Sequence, residues 1–72
     1  MTHCPVEQRL ADDVSGALAR IVELSKAQYE AFHRNDEGEL MRLDKELELA
    51  FGEKERSIGA LRQHREEHGC WK

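Results

Sequence analysis

The fold is decided by HRNDEGE, residues 33–39, a polar stretch that separates two long runs of apolar residues spaced three and four apart. Asn35 and Gly38 favour a turn, because both residue types tolerate backbone conformations that most residues avoid. Asp36 and Glu39 have the spacing of a capping box, in which each side chain binds a backbone N–H group at the start of a helix. Such a short connection predicts two antiparallel helices.

The helix boundaries follow from signals on either side of this turn. Pro5 suits the first position of a helix and would make Cys4 its N-cap. Gly69 is a stop signal, since glycine tolerates the left-handed conformation that ends many helices. We therefore predict a single all-α domain made of helix 5–34, turn 35–38, helix 39–68 and C-terminal tail 69–72.

The first helix carries two neighbouring apolar stripes, each with helical spacing. One stripe consists of Leu10, Val14, Ala17, Ile21, Leu24 and Ala31, and the other consists of Ala11, Leu18, Val22, Tyr29 and Phe32. A simple two-helix seam needs only one narrow stripe. The second stripe therefore predicts that the hairpin associates, and the simplest assembly is a homodimer that forms a four-helix bundle.

The length of the chain supports the same prediction. A hairpin of 72 residues buries too little surface to be comfortably stable alone. The apolar residues expected in the core and at the interface of the assembly come from both helices. They are Leu10, Val14, Leu18, Ile21, Val22, Tyr29, Phe32, Leu40, Leu43, Leu47, Phe51, Ile58 and Leu61.

The composition argues against several classes of function. The formal net charge of −4 is unfavourable for binding nucleic acid or an anionic membrane surface, because both depend on lysine and arginine. No stretch approaches the ~20 apolar residues that span a bilayer, and residues 1–10 lack the apolar core of a signal peptide. We therefore expect a cytoplasmic protein whose two cysteines are reduced or bound to metal.

The most distinctive chemistry lies near the two ends of the chain. His64 and His68 are four residues apart, so both imidazoles face the same side of a helix and could bind one metal ion. Cys70 follows closely, and a hairpin brings Cys4 and His3 to the same end. Two histidines with two cysteines, or three histidines with one cysteine, suit tetrahedral zinc. The alternatives are a disulfide between the two cysteines, or exposed histidines with free thiols.

Catalysis has little support in the sequence. There is no glycine-rich phosphate loop and no serine-centred nucleophile elbow. Glu30 and His33 have the Glu-x-x-His spacing of di-iron four-helix proteins, yet both lie beside the apolar stripes. The favoured interpretation is a homo-oligomeric interaction or regulatory module, which could also bind a protein partner. The alternatives are a zinc-binding protein with its site at the adjacent chain ends, and a small metal- or thiol-dependent redox bundle.

Overall fold

The chain forms a long antiparallel pair of α-helices, as the computed structural model shows for residues 5–68. Helix α1 spans Pro5–His33 and helix α2 spans Glu37–His68. The hairpin measures 51 × 19 × 13 Å, and its described residues contain no strand. The prediction of an all-α hairpin is thus confirmed, while the predicted tail, 69–72, lies outside the described residues.

Helix α1 ends in a Schellman motif. The N–H of Asp36 donates to the carbonyl of Ala31 at 3.0 Å, and the N–H of Asn35 donates to the carbonyl of Phe32 at 3.1 Å. Asn35 adopts a φ of 58°, the left-handed conformation that this motif requires and that asparagine tolerates better than most residues. These bonds satisfy carbonyl groups that would otherwise lack partners at the helix end.

Helix α2 begins at Glu37, two residues before the predicted start, and α1 ends one residue before the predicted Arg34. Asp36 is the N-cap of α2, because its Oδ1 accepts a hydrogen bond of 3.1 Å from the N–H of Glu39. The second half of the predicted capping box is absent, because the N–H of Asp36 donates to the carbonyl of Ala31 and the Glu39 carboxylate accepts hydrogen bonds from Arg42 instead. The residues that follow Asp36 therefore form the first turn of α2.

The two helices meet along a seam whose residues recur with alternating spacings of three and four. Six apolar residues are buried there: Ala17, Leu24, Ala31, Leu43, Leu47 and Ala50. Ile21, Ala27 and Leu40 are partly buried and pack against them. The first of the two predicted stripes of α1 is thus the one that α2 covers.

The packing is uneven along this seam. The apolar core cluster lies in the loop half of the hairpin, residues 21–50. In the open half, residues 5–20 and 51–68, α2 places Lys54, Ser57 and His64 at seam positions, and all three are partly buried. Arg65 there lies 3.5 Å from Glu7 and links the last turns of α2 to the first turn of α1. The loop half is therefore the better packed half.

Candidate interaction surface

One side of α1 stays exposed although it is apolar. Leu18, Val22, Tyr29 and Phe32 are 44%, 66%, 66% and 63% exposed. They belong to the second predicted stripe, whose remaining member, Ala11, is partly buried. Single exposed apolar residues are ordinary on protein surfaces, but a row of them indicates an interaction site.

The exposed row belongs to a longer strip without charge. Eight positions of α1 with alternating spacings of three and four carry no charged side chain, and the Asp, Glu, Lys and Arg residues of α1 all lie elsewhere. We refer to these positions as the uncharged strip: Gln8, Ala11, Ser15, Leu18, Val22, Ser25, Tyr29 and Phe32. The spacing is that of a coiled-coil seam, so α1 presents a second seam beside the one that packs against α2.

Helix α2 flanks the same side of the hairpin with a row of mixed character. Its positions follow from the antiparallel register, and Gln28 of α1 donates a hydrogen bond of 3.4 Å to Asp44 within it. We refer to this row as the mixed strip: Met41, Asp44, Glu48, Phe51, Glu55, Ile58, Arg62 and Arg65. The uncharged strip and the mixed strip together form the apolar face. Near the loop, Tyr29, Phe32 and Leu40 line a shallow groove in it.

We refer to the opposite side of the hairpin, which carries Arg20, Glu39, Arg42, Glu46 and Leu49, as the charged face. One of its ion pairs connects the two helices. Arg20 Nη2 lies 3.4 Å from Glu46 Oε1. Glu46 also pairs with Arg42, which donates hydrogen bonds of 2.9 and 2.6 Å to the two carboxylate oxygens of Glu39. These hydrogen bonds lower the pKa of the Glu39 carboxylate and raise the pKa of Arg42. These four charged residues of the face therefore find partners within one copy.

The exposed aromatic side chains of the apolar face contact a neighbouring ring or cation. The ring of His33 lies 4.4 Å from that of Tyr29 and 5.6 Å from that of Phe32, both in edge-on geometry. On α2, the Lys54 ammonium lies 5.6 Å from the centre of the Phe51 ring. These aromatic residues thus contact neighbours on their own helix and remain largely exposed to water.

The residues predicted for the core and the interface occupy three environments. The buried residues are Leu43 and Leu47. The partly buried residues are Leu10, Val14, Ile21, Leu40, Ile58 and Leu61. The exposed residues are Leu18, Val22, Tyr29, Phe32 and Phe51. The buried and partly buried residues hold the hairpin together, apart from Ile58, which belongs to the mixed strip. The exposed group is the part that a partner would contact, so the prediction of association rests on it.

The predicted metal ligands fall only partly within the described residues. His64 is partly buried at a seam position of α2. His68 is the last residue of α2, and its side chain lies outside the described part, as do residues His3, Cys4 and Cys70. Among the side chains that the structure describes, no three His, Cys, Asp or Glu groups come together as a metal site. The zinc site therefore stays a prediction.

Glu7 is a further residue of the open half near the predicted metal ligands, and the spacing of histidines and cysteines did not predict it. Its side chain is only 20% exposed, its Oε2 lies 3.5 Å from Arg65 Nη2, and its Oε1 is buried without a hydrogen-bond partner. Such an atom is costly to bury, and a carboxylate oxygen is also a ligand that zinc accepts. The available signal was its spacing, which continues the first stripe from Val14 and Leu10 back to Glu7.

The described helices and the comparisons with known proteins set the limits of a functional assignment. Within residues 5–68, no helix combines the length and the apolar character that a membrane span requires. The chain matches no protein-family model, no curated protein and no solved structure with which it was compared. The two faces of the hairpin and its open half are therefore the basis on which its function can be assigned.

Proposed function

We propose that this protein is a helical-hairpin interaction module that works as a homo-oligomer, in which two copies pair through the apolar face into a four-helix bundle. The observation that carries the proposal is the uncharged strip, much of which remains exposed after α2 has covered the neighbouring stripe. Burying such a strip is favourable, because transfer of apolar surface out of water drives association.

The small core of a single hairpin is a second argument for association. Of its six buried residues, Ala17, Ala31 and Ala50 have only a methyl group to bury. Each large apolar side chain of the uncharged strip is 44–66% exposed, so its burial by a partner would contribute about 1–2 kcal/mol, part of the value for a fully exposed side chain. A partner on this face would therefore supply stability that a hairpin of this size lacks on its own.

A second copy of the chain is the occupant that fits this face best. The uncharged strip runs from Gln8 to Phe32 and so extends along most of α1, Pro5–His33. A second copy presents a strip of the same length and spacing, which allows continuous knobs-into-holes packing. The resulting dimer would turn both charged faces outward, where a regulatory partner could be recognised by charge.

Sedimentation of two matched variants tests the proposal. Val22 lies on the apolar face and is 66% exposed, whereas Leu49 helps to line a groove with Arg20 and Glu46 on the charged face and is 72% exposed. We expect the wild type and Leu49→Asp to sediment as dimers at micromolar concentration. Val22→Asp should weaken the dimer by about a hundredfold, because it buries an unpaired charge twice.

Two results would overturn this proposal. One is a wild-type chain that is fully helical and monomeric over the whole micromolar range. The other is a Val22→Asp variant that associates as tightly as Leu49→Asp, which would mean that the apolar face is not the interface. Circular dichroism on each sample separates loss of association from loss of the helices.

The second candidate function is zinc binding at the open half. The contact between Arg65 and Glu7 holds the first turn of α1 beside the last turns of α2. The predicted ligands His64, His68 and Cys70 belong to or follow the end of α2 in sequence, and the buried Oε1 of Glu7 is a further oxygen donor near that end. A mixed set of imidazole, thiolate and carboxylate groups suits a tetrahedral zinc ion.

Elemental analysis of protein purified without a histidine tag tests this candidate. We expect about one zinc ion per chain or per dimer, with loss of the metal in the His64→Ala/His68→Ala variant. His33→Ala is the matched control, because it removes a histidine from the far end of the hairpin. Absence of zinc after incubation with the metal, or equal zinc in both variants, would exclude the site. A free-thiol count reveals whether the cysteines form a disulfide.

A further inference from the structure

We infer, on the basis of the proposed dimer, that the two copies pair with their loops at opposite ends, so that α1 packs against α1 of the second copy and α2 against α2. The proposed function requires only that the apolar faces meet. The orientation follows from how charge is distributed along the mixed strip of α2 and from where the centres of the two strips lie.

The mixed strip is acidic toward the loop and basic toward the open end. Asp44 and Glu48 lie in its loop half, and Arg62 and Arg65 lie at its other end. Glu55, between these groups, is 3.5 Å from Lys54 of its own helix. In a reversed copy of this strip Arg62 lies near the level of Asp44, and these two residues are complementary in charge. Glu48 lies near Glu55 of the second copy, whose carboxylate already has Lys54 as a partner, and Arg65 is paired with Glu7 of its own copy.

The opposite arrangement, with both loops at the same end, would pair unlike strips. A twofold axis along the bundle places each α1 beside α2 of the second copy, so the mixed strip would face the uncharged strip. Asp44 would then be covered by Ser25 and Tyr29, which carry no cation, and would lose Arg62 as a partner. Covering a carboxylate without a charged partner is unfavourable, so this arrangement is the weaker one.

The register of the hairpin brings the centres of both strips to the same level. The midpoint of the uncharged strip along α1 lies at the level of residue 20, halfway between its ends at residues 8 and 32. The contact between Gln28 and Asp44 places residue 20 level with residue 52 of α2, since both positions lie eight residues farther from the loop. Arg20 reaches Glu46, which lies nearer the loop, through its long side chain. The mixed strip is centred close to this level, at residue 53, midway between residues 41 and 65. The contact between Glu7 and Arg65 gives the same register.

One twofold axis at this level serves both pairs of helices. On α1 it brings Leu18 of one copy opposite Val22 of the other. On α2 it brings Asp44 opposite residue 60, which is two residues, or about 3 Å along the axis, from Arg62. An arginine side chain spans that offset, so the symmetric dimer gains the Asp44–Arg62 pair twice.

A distance between the two loops tests the orientation directly. A spin label on Glu37→Cys, in a chain that also carries Cys4→Ser and Cys70→Ser, reports this distance by pulsed electron resonance. Loops at opposite ends give about 45 Å, which is 30 residues of helix at ~1.5 Å each. Loops at the same end give under about 30 Å, because neighbouring helix axes lie ~10 Å apart. A label on Ala19→Cys, at mid-length, is the control and gives a short distance in either dimer.

Exchange of charge provides the second test. We expect Asp44→Lys or Arg62→Asp alone to weaken the dimer about three- to tenfold, since each creates two like-charged pairs across the interface. Mixing the two variants should restore wild-type affinity to within about twofold, because each heterodimer again pairs opposite charges. Glu23→Lys, outside both strips, is the control and should leave the dimer constant unchanged.

The outcomes separate this inference from the proposed function. A monomeric wild type would contradict the proposed function itself. A dimer that Val22→Asp dissociates, with a short distance between loops and no rescue on mixing, would leave the proposed function intact and overturn only the orientation. A long distance between loops together with rescue on mixing supports both.

Discussion

The apolar face and the charged face of this hairpin flank the same seam, but their side chains differ in whether they have partners within one copy. On the charged face, Arg20, Glu46 and Arg42 find partners within one copy. On the apolar face, Val22 and Tyr29 are each 66% exposed to water. Ion pairs on a surface are stable in contact with water, whereas burial of a row of apolar side chains lowers the free energy. Helix α1 has two apolar seams, and packing against α2 therefore buries only one of them.

The largest expected effect comes from breaking the apolar face at its centre. Leu18→Asp/Val22→Asp should make the chain monomeric and cost roughly 2–3 kcal/mol per chain, the transfer free energy of the exposed fractions of the two side chains, 44% and 66%. Its melting temperature should no longer depend on protein concentration, whereas that of the wild type should rise with concentration. Calorimetry at several concentrations measures this. Equal concentration dependence in both proteins would contradict the difference between the faces.

A milder change sharpens the same comparison. Tyr29→Ala should weaken the dimer about tenfold, because exposed tyrosines that become buried at interfaces often dominate the binding energy. Leu49→Ala, on the charged face, removes a side chain that is 72% exposed and should leave the dimer constant unchanged. Sedimentation equilibrium gives both values. A larger effect of Leu49→Ala than of Tyr29→Ala would reverse the roles assigned to the two faces.

Substitutions on the charged face should change stability only slightly. Arg20→Ala removes the contact of 3.4 Å with Glu46 that connects the two helices. Because the arginine side chain is 56% exposed, we expect a loss of less than about 1 kcal/mol in the free energy of unfolding and no change in association. Urea denaturation followed by circular dichroism measures the first quantity. A loss of several kcal/mol would show that the charged face is part of the structural core.

The smallest expected effect is a dependence on pH. The pKa of Glu39 is lowered mainly by hydrogen bonds from Arg42. A carboxylate with a lowered pKa in the folded state stabilises the fold at neutral pH, and this contribution is lost as the pH falls through the acidic range toward that pKa. Arg42→Gln should therefore reduce the urea midpoint at neutral pH and have little effect at strongly acidic pH.

Arg42→Lys is the control for this last prediction. It keeps the positive charge but loses the paired geometry with the Glu39 carboxylate, so its urea midpoint should lie between those of Arg42→Gln and the wild type. A loss that is equal at both pH values would mean that the ion pair is not the source of the effect.

Local signals account for most of the fold that could be predicted. The spacing of Leu24, Ala31 and Leu43 and the turn at residues 33–39 are visible without knowledge of distant contacts. The start of α2 was misplaced by two residues, because Gly38 was read as part of the turn. The side chain of Asp36 caps the helix, which allows a glycine in its first turn.

Long-range contacts explain what the sequence could not supply. The two stripes of α1 have the same spacing, so periodicity alone does not decide which of them α2 covers. Glu7 pairs with Arg65, which is 58 residues away along the chain. The orientation of two copies likewise depends on the level at which α1 and α2 meet, which only the register of the hairpin provides.

The uneven packing of the seam has a consequence for how fast and in which order the chain folds. The well-packed pairs near the loop join residues close in sequence, such as Gln28 and Asp44 at a separation of 16, whereas contacts at the open end join residues 58 apart. Closing a short loop costs less entropy, and proteins rich in local contacts fold quickly. We therefore expect the two helices to zip together from the loop toward the chain ends, and amide hydrogens near the ends to exchange with solvent first.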